Sequence, residues 1–144
     1  LAVRDVPAGA TVSYGATWTA PHDARLATLG IGYGGGLRRE LSNRGHALLR
    51  GVSAPIRGVV CMDTVVVDVT GRDDVRPGDV ATLLGSDGGA SIRLADLATQ
   101  CDTIDYEILT GLGDRLPRLE LDHDKTGPDE QLVLEALETI RDGI

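Results

Sequence analysis

A chain of 144 residues that is 42% hydrophobic has enough apolar surface for one domain with a real core, which excludes a disordered segment. Aromatics are only 3%, so that core must rest on Val, Leu, Ile and Ala. A formal net charge of −8 and the lack of any apolar run of ~18 residues argue against nucleic acid or a membrane as partner, and leave a small molecule.

In chain order, VSYG at 12–15 comes first, a small polar turn that sets Tyr14 between Ser13 and Gly15. Trp18, four residues on, reads as local packing beside it. Strand-like runs follow at 27–31, where Ala27, Leu29 and Ile31 alternate with Thr28 and Gly30, and at 46–50, 56–61, 64–69 and 80–84. RPGD at 76–79 and GSDGG at 85–89 are turn signals. The period then changes. Leu94, Leu97, Ala98 and Cys101 share one helical face, and Asp102 is placed to cap a second short helix carrying Ile104, Ile108 and Leu112. Residues 115–121 read as extended and 122–128 as a linker. Pro128 suits a first helical position, and Val133, Leu137 and Ile140 fall in register for a helix over 129–142. The expected fold is mainly β: a small β-barrel-like domain over 1–121, with two short helices near 94–112 and a C-terminal helix.

Gly30-Ile31-Gly32-Tyr33-Gly34-Gly35 satisfies the G-x-G-x-x-G pattern of dinucleotide sites. Only 37–44 is available as the helix that must receive the pyrophosphate, and no acid stands ~20 residues on for the ribose, so a tight backbone path is the better reading. Cys61 and Cys101 match no metal-binding spacing, so no metal is expected, and both thiols read as small buried hydrophobes in a reduced, cytoplasmic setting. Arg38 and Arg39 form either a solvated turn or a guide for an anionic small molecule. The single lysine, Lys125, has Asp122, Asp124 and Asp129 as neighbours that keep it protonated.

VSYG (12–15), IGYGGG (31–36), LSNRG (41–45), CMD (61–63), RPGD (76–79), DTIDYE (102–107) and RLPR (115–118) occur in this order. Together they resemble the C-terminal domain of alanine racemase, a pyridoxal-phosphate-dependent family, over roughly residues 1–120. The resemblance implies a mainly β domain that follows an N-terminal (β/α)8 barrel carrying the cofactor lysine, in a cytoplasmic homodimer that supplies D-alanine for the cell wall. It implies that Tyr14 is the catalytic base presented to the partner subunit's cofactor. Tyr33 then lines the approach to the active site, with Arg39 as an entryway arginine. The Met62 backbone N–H binds the substrate carboxylate, Asp63 follows it in the same loop, and Tyr106 hydrogen-bonds the cofactor phosphate.

Racemisation needs a base on each face of the α-carbon. A phenol, with an ordinary pKa near ~10, serves at neutral pH only beside positive charge or suitable donors. The sequence departs from the family pattern in three places. Gly35 stands where Asp is usual. Val59 stands where a second entryway arginine is usual, and Arg57, on the same strand face, is expected to supply that charge. The tail from about 122 to 144 extends beyond the usual family end. Lys125 is no substitute for the cofactor lysine, so the chain alone is expected to be inactive. Two alternatives remain: a non-catalytic β-barrel assembly module, and a racemase for serine or another small amino acid.

Overall fold

The computed structural model describes residues 2–119. Ten strands come first, β1 (Ala2–Val6), β2 (Thr11–Val12), β3 (Trp18–Thr19), β4 (Ala24–Leu29), β5 (His46–Leu49), β6 (Val52–Arg57), β7 (Val65–Asp68), β8 (Ala81–Thr82), β9 (Gly85–Asp87) and β10 (Ala90–Ile92). Helices α1 (Leu94–Gln100) and α2 (Asp105–Gly111) follow. Six strands form one antiparallel sheet in the order β1-β4-β7-β6-β5-β8, while β2–β3 and β9–β10 are separate ribbons. Pairing leaves β1 and β8 as the ends of the sheet among the described residues, so the architecture is mainly β with two helices. No helix among those residues is long and apolar enough to cross a membrane.

Period-two burial explains the central strand. Val65 and Val67, with Val69 just beyond, are buried in the main core with Leu48, Ile56 and Val60, while Val66 points to the other face. There it meets a smaller cluster of Val12, Ala20, Ala24 and Leu26, with Trp18 packed alongside. Both faces of the sheet are therefore used, and the second holds the β2–β3 ribbon in place. Each fully buried valine contributes about 1.5–3 kcal/mol.

The helices match expectation in part. Leu97, Ala98 and Cys101 are buried as the α1 face requires, and Ile108 anchors α2, but Ile104 is exposed. Asp102 does not cap α2. It takes a left-handed φ of 53° and turns the chain between the helices, and the Thr103 hydroxyl bonds the Glu107 carboxylate instead. GSDGG is more than a turn, since Gly85–Asp87 pairs with Ala90–Ile92 across Gly88 and Gly89. Residues 115–119 form no strand, and β8 is only two residues long. The linker at 122–128, Lys125 and the helix at 129–142 lie outside the described residues.

Carboxylates at the end of β7 and in the connection to β8 are held as anions. Burial pushes Asp68 up, but the Thr70 hydroxyl and N–H, with Arg57, more than offset it and leave the group below its ordinary value. Hydrogen bonds from Arg72 bring Asp74 to about 2, and Arg50 lowers Asp79. Lowered folded-state values stabilise above the unfolded carboxylate pKa near ~3.9, and that stability is lost as pH falls through the folded values. Urea midpoints should therefore hold above about pH 5 and drop steadily towards pH 2. Asp68→Asn should lower the midpoint at pH 7 and flatten the acid slope. An unchanged slope would remove Asp68 from this account.

Candidate functional site

Val12 and Trp18 pair across the β2–β3 ribbon, and the turn between them carries Tyr14. Its backbone is strained. Ser13 has φ 65° with ψ −178°, and a single 3-10 turn over Tyr14–Ala16 follows, with Gly15 at φ 73° and Ala16 at φ 47°. Non-glycine residues there cost about 1–3 kcal/mol each and persist only when their surroundings enforce them. Ser13 Oγ donates to the Val59 carbonyl at 2.8 Å and lies 3.3 Å from Cys61 Sγ. A Cβ at Gly58 would stand 2.8 Å from Ser13 Cβ, so glycine there lets the turn lie down. Asn43 completes the support, accepting from the Gly58 N–H at 2.6 Å and donating from Nδ2 to Thr17 Oγ1 at 3.1 Å. The result is a tyrosine 77% exposed, whose hydroxyl meets no partner among the described residues.

Arg57 lies 5.3 Å from the Trp18 ring centroid and donates from Nε to Asp68 Oδ2 at 3.3 Å. It is thus paired within the fold beside the ribbon. A cavity of about 390 Å³ opens beside Tyr14, lined by Ser13, Val59, Cys61, Thr64 and Val65. Cys61 is half-buried in its wall, unlike the buried hydrophobe expected. Cys101 is buried, and that burial pushes its thiol up, away from the reactive thiolate.

The segment 59–63 is where the motifs meet. The Tyr33 N–H donates to the Cys61 carbonyl at 2.9 Å and the Gly34 N–H to the Met62 carbonyl at 2.8 Å. A Cβ at Gly32 would fall 2.0 Å from the Cys61 oxygen. The glycines that mimic a dinucleotide motif thus permit a close backbone approach. Ser42 Oγ accepts from the Val60 N–H at 3.0 Å, and Asp63 Oδ1 accepts from Arg115 at 2.7 Å. Tyr33 and Met62 are both exposed, and the Met62 N–H meets no acceptor among the described residues.

Tyr106 is 76% exposed on α2, and α2 is docked on the Tyr33 segment. A Cβ at Gly36 would stand 2.4 Å from the Gly111 carbonyl, and Arg38 pairs with Glu107 at 3.0 Å. Glu40 also approaches Arg38, at 3.7 Å, so of the two neighbouring arginines Arg39 is the exposed one without an acid partner among the described residues. Tyr14, Tyr33, Met62 and Asp63 therefore gather on one hub, with Tyr106 and Arg39 attached to it through the Tyr33–Leu41 segment. No group of three metal-ligating side chains gathers among the described residues. Ser13 is legible in the sequence as part of the Tyr14 turn, whereas no role is legible there for Ser42, Asn43 or Arg115. LSNRG was visible as a motif, but its clamping role depends on contacts far along the chain. Chemically, the surface offers phenols and a backbone donor.

The family described as "Alanine racemase, C-terminal domain" matches residues 1–120. An alanine racemase from Halothermothrix orenii is 47% identical over 116 residues, which cover 81% of this chain and 31% of that protein. The chain thus spans about a third of such curated relatives. Among solved structures, the Bacillus anthracis alanine racemase with bound L-Ala-P has a TM-score of 0.80 at 31% identity, covering 86% of this chain and 31% of that one. The Bartonella henselae alanine racemase with covalently bound pyridoxal phosphate has a TM-score of 0.74 at 37% identity, covering 81% and 32%.

Proposed function

The chain belongs to the alanine racemase C-terminal domain family, and on that premise we propose that it is the C-terminal part of a pyridoxal-phosphate-dependent racemase interconverting L- and D-alanine. The observation that carries this reading is the strained turn that holds Tyr14 exposed beside the Cys61–Met62 backbone. Inversion requires a proton to leave one face of the α-carbon and another to arrive on the opposite face. Tyr14 Oη takes or returns the proton on one face, and its counterpart lies outside this chain. Pyridoxal phosphate, when bound, supplies delocalisation of the electron pair left on the α-carbon.

The chain's own residues suit that group. The exposed Tyr106 side chain is available to its phosphate. The Met62 N–H receives the substrate carboxylate, Tyr33 flanks the approach, and the exposed Arg39 attracts the anion. An exposed phenol that acts as a base needs a facing surface to bring charge and exclude water, which fits a homodimer in which Tyr14 serves the partner subunit. In this reading residues 1–121 form a barrel-like domain. The parent protein is cytoplasmic and supplies D-alanine to the cell wall.

The test is the parent protein with pyridoxal phosphate and L-alanine, followed by circular dichroism. Loss of optical activity is expected, with residues 1–144 alone inactive. An inert parent would sink the assignment. A visible absorbance band on the isolated chain with the cofactor, removed by Lys125→Ala, would show that the chain holds the cofactor itself.

A further inference from the structure

Val59 to Asp63 belong to no strand or helix, so individual contacts must order the Met62 peptide. Ser13 holds Val59, Ser42 holds Val60, and the N–H groups of Tyr33 and Gly34 hold the Cys61 and Met62 carbonyls. On the far side of Met62 the contact changes character, because Asp63 is held through its side chain by Arg115 at 2.7 Å, from 52 residues along the chain. Arg115 follows α2, and it reaches Asp63 across the backbone of Gly34. A Cβ at Gly34 would stand 2.3 Å from Arg115 Nη1 and 3.0 Å from the Met62 carbonyl. The bare glycine keeps that path open.

The pair poses an electrostatic problem and answers it. Asp63 is exposed and directly follows the residue whose N–H receives a carboxylate in the proposed reaction. An unpaired carboxylate there would repel any anionic ligand, and like charges placed together at a binding site weaken binding strongly. We infer that Arg115 is a positioning residue that holds Asp63 neutralised and turned aside, so that the Met62 N–H is free to donate to an α-carboxylate. An exposed ion pair adds little to folding stability, so this role is separable from structure. The inference rests on the racemase reading and adds a residue of the RLPR motif to it.

The experiment uses the parent holoprotein, with racemisation of alanine by the unsubstituted protein establishing the racemase reading first. Arg115→Ala should raise KM for alanine by roughly 10- to 100-fold, with kcat changed much less. Propionate, a carboxylate without the amine, should bind more weakly by a similar factor in calorimetry, a readout that needs no turnover. Arg115→Lys should recover most of the loss. The double variant Arg115→Ala with Asp63→Asn should also recover affinity, since it removes the freed charge, whereas a purely structural role would leave it as damaged as the single variant. Unchanged KM and propionate affinity in Arg115→Ala, or a double variant no better than the single one, would overturn the inference even with an active parent.

Discussion

Tyr14→Phe in the parent protein should slow alanine racemisation by about 10²- to 10⁴-fold, the usual contribution of one positioned proton-transfer group. Folding should be untouched. The side chain is 77% exposed, and its hydroxyl bonds nothing among the described residues, so removing one oxygen neither opens a cavity nor strands a donor. The two enantiomers are equal in free energy, so kcat/KM must fall equally in both directions. The one-sided role appears instead in isotope exchange. In heavy water the variant should still wash deuterium into one enantiomer without inverting it, through the base on the opposite face, while exchange into the other enantiomer collapses. Equal loss of exchange from both enantiomers, or no loss of rate, would remove Tyr14 from the reaction. Ser13→Gly is a useful companion. It relieves the strained φ of 65° but deletes the hydroxyl that reaches Val59, so it tests whether Tyr14 must be held as well as present.

What the sequence disclosed follows the range of the forces involved. Residues 64–69 are rich in β-branched valine, and Leu97, Ala98 and Cys101 recur with a helical period, so both elements are legible locally, and α1 buries the face expected. The ribbons were not legible, because β2 and β3 are two residues each and exist through packing on Val66 and Leu26 from distant strands. The site divides the same way. The three tyrosines stand out in a chain with few aromatics, but the posture of Tyr14 is set by Gly58, Val59 and Asn43, 29 to 45 residues away. Arg57 illustrates the limit. Strand periodicity sets Arg57 and Val59 on one face, but β6 ends at Arg57 and Val59 lies in no strand, and only the fold shows that Arg57 meets Trp18 and Asp68.

Gly32→Ala should be among the most damaging single-methyl changes in the domain, costing about 2–4 kcal/mol and the site with it. The clash is with backbone. The added Cβ would stand 2.0 Å from the Cys61 carbonyl oxygen and 2.6 Å from the Met62 carbonyl carbon, where no side chain can rotate away. Gly32 has an extended φ of −152°, so the cost is steric crowding and owes nothing to left-handed strain. Relief requires parting the two segments, which breaks the Tyr33-to-Cys61 and Gly34-to-Met62 hydrogen bonds together and moves Met62 away from Tyr33. Gly111→Ala supplies the control. It lies at the end of α2, its nearest neighbour would be Arg38 Nη1 at 3.8 Å, and alanine is the better helix former. Urea unfolding of the parent protein should show a large loss of stability for Gly32→Ala and little or none for Gly111→Ala. Equal, small effects would mean that the Tyr33 and Met62 segments are not clamped together, and the hub on which Tyr14, Tyr33 and Met62 gather would lose its physical basis.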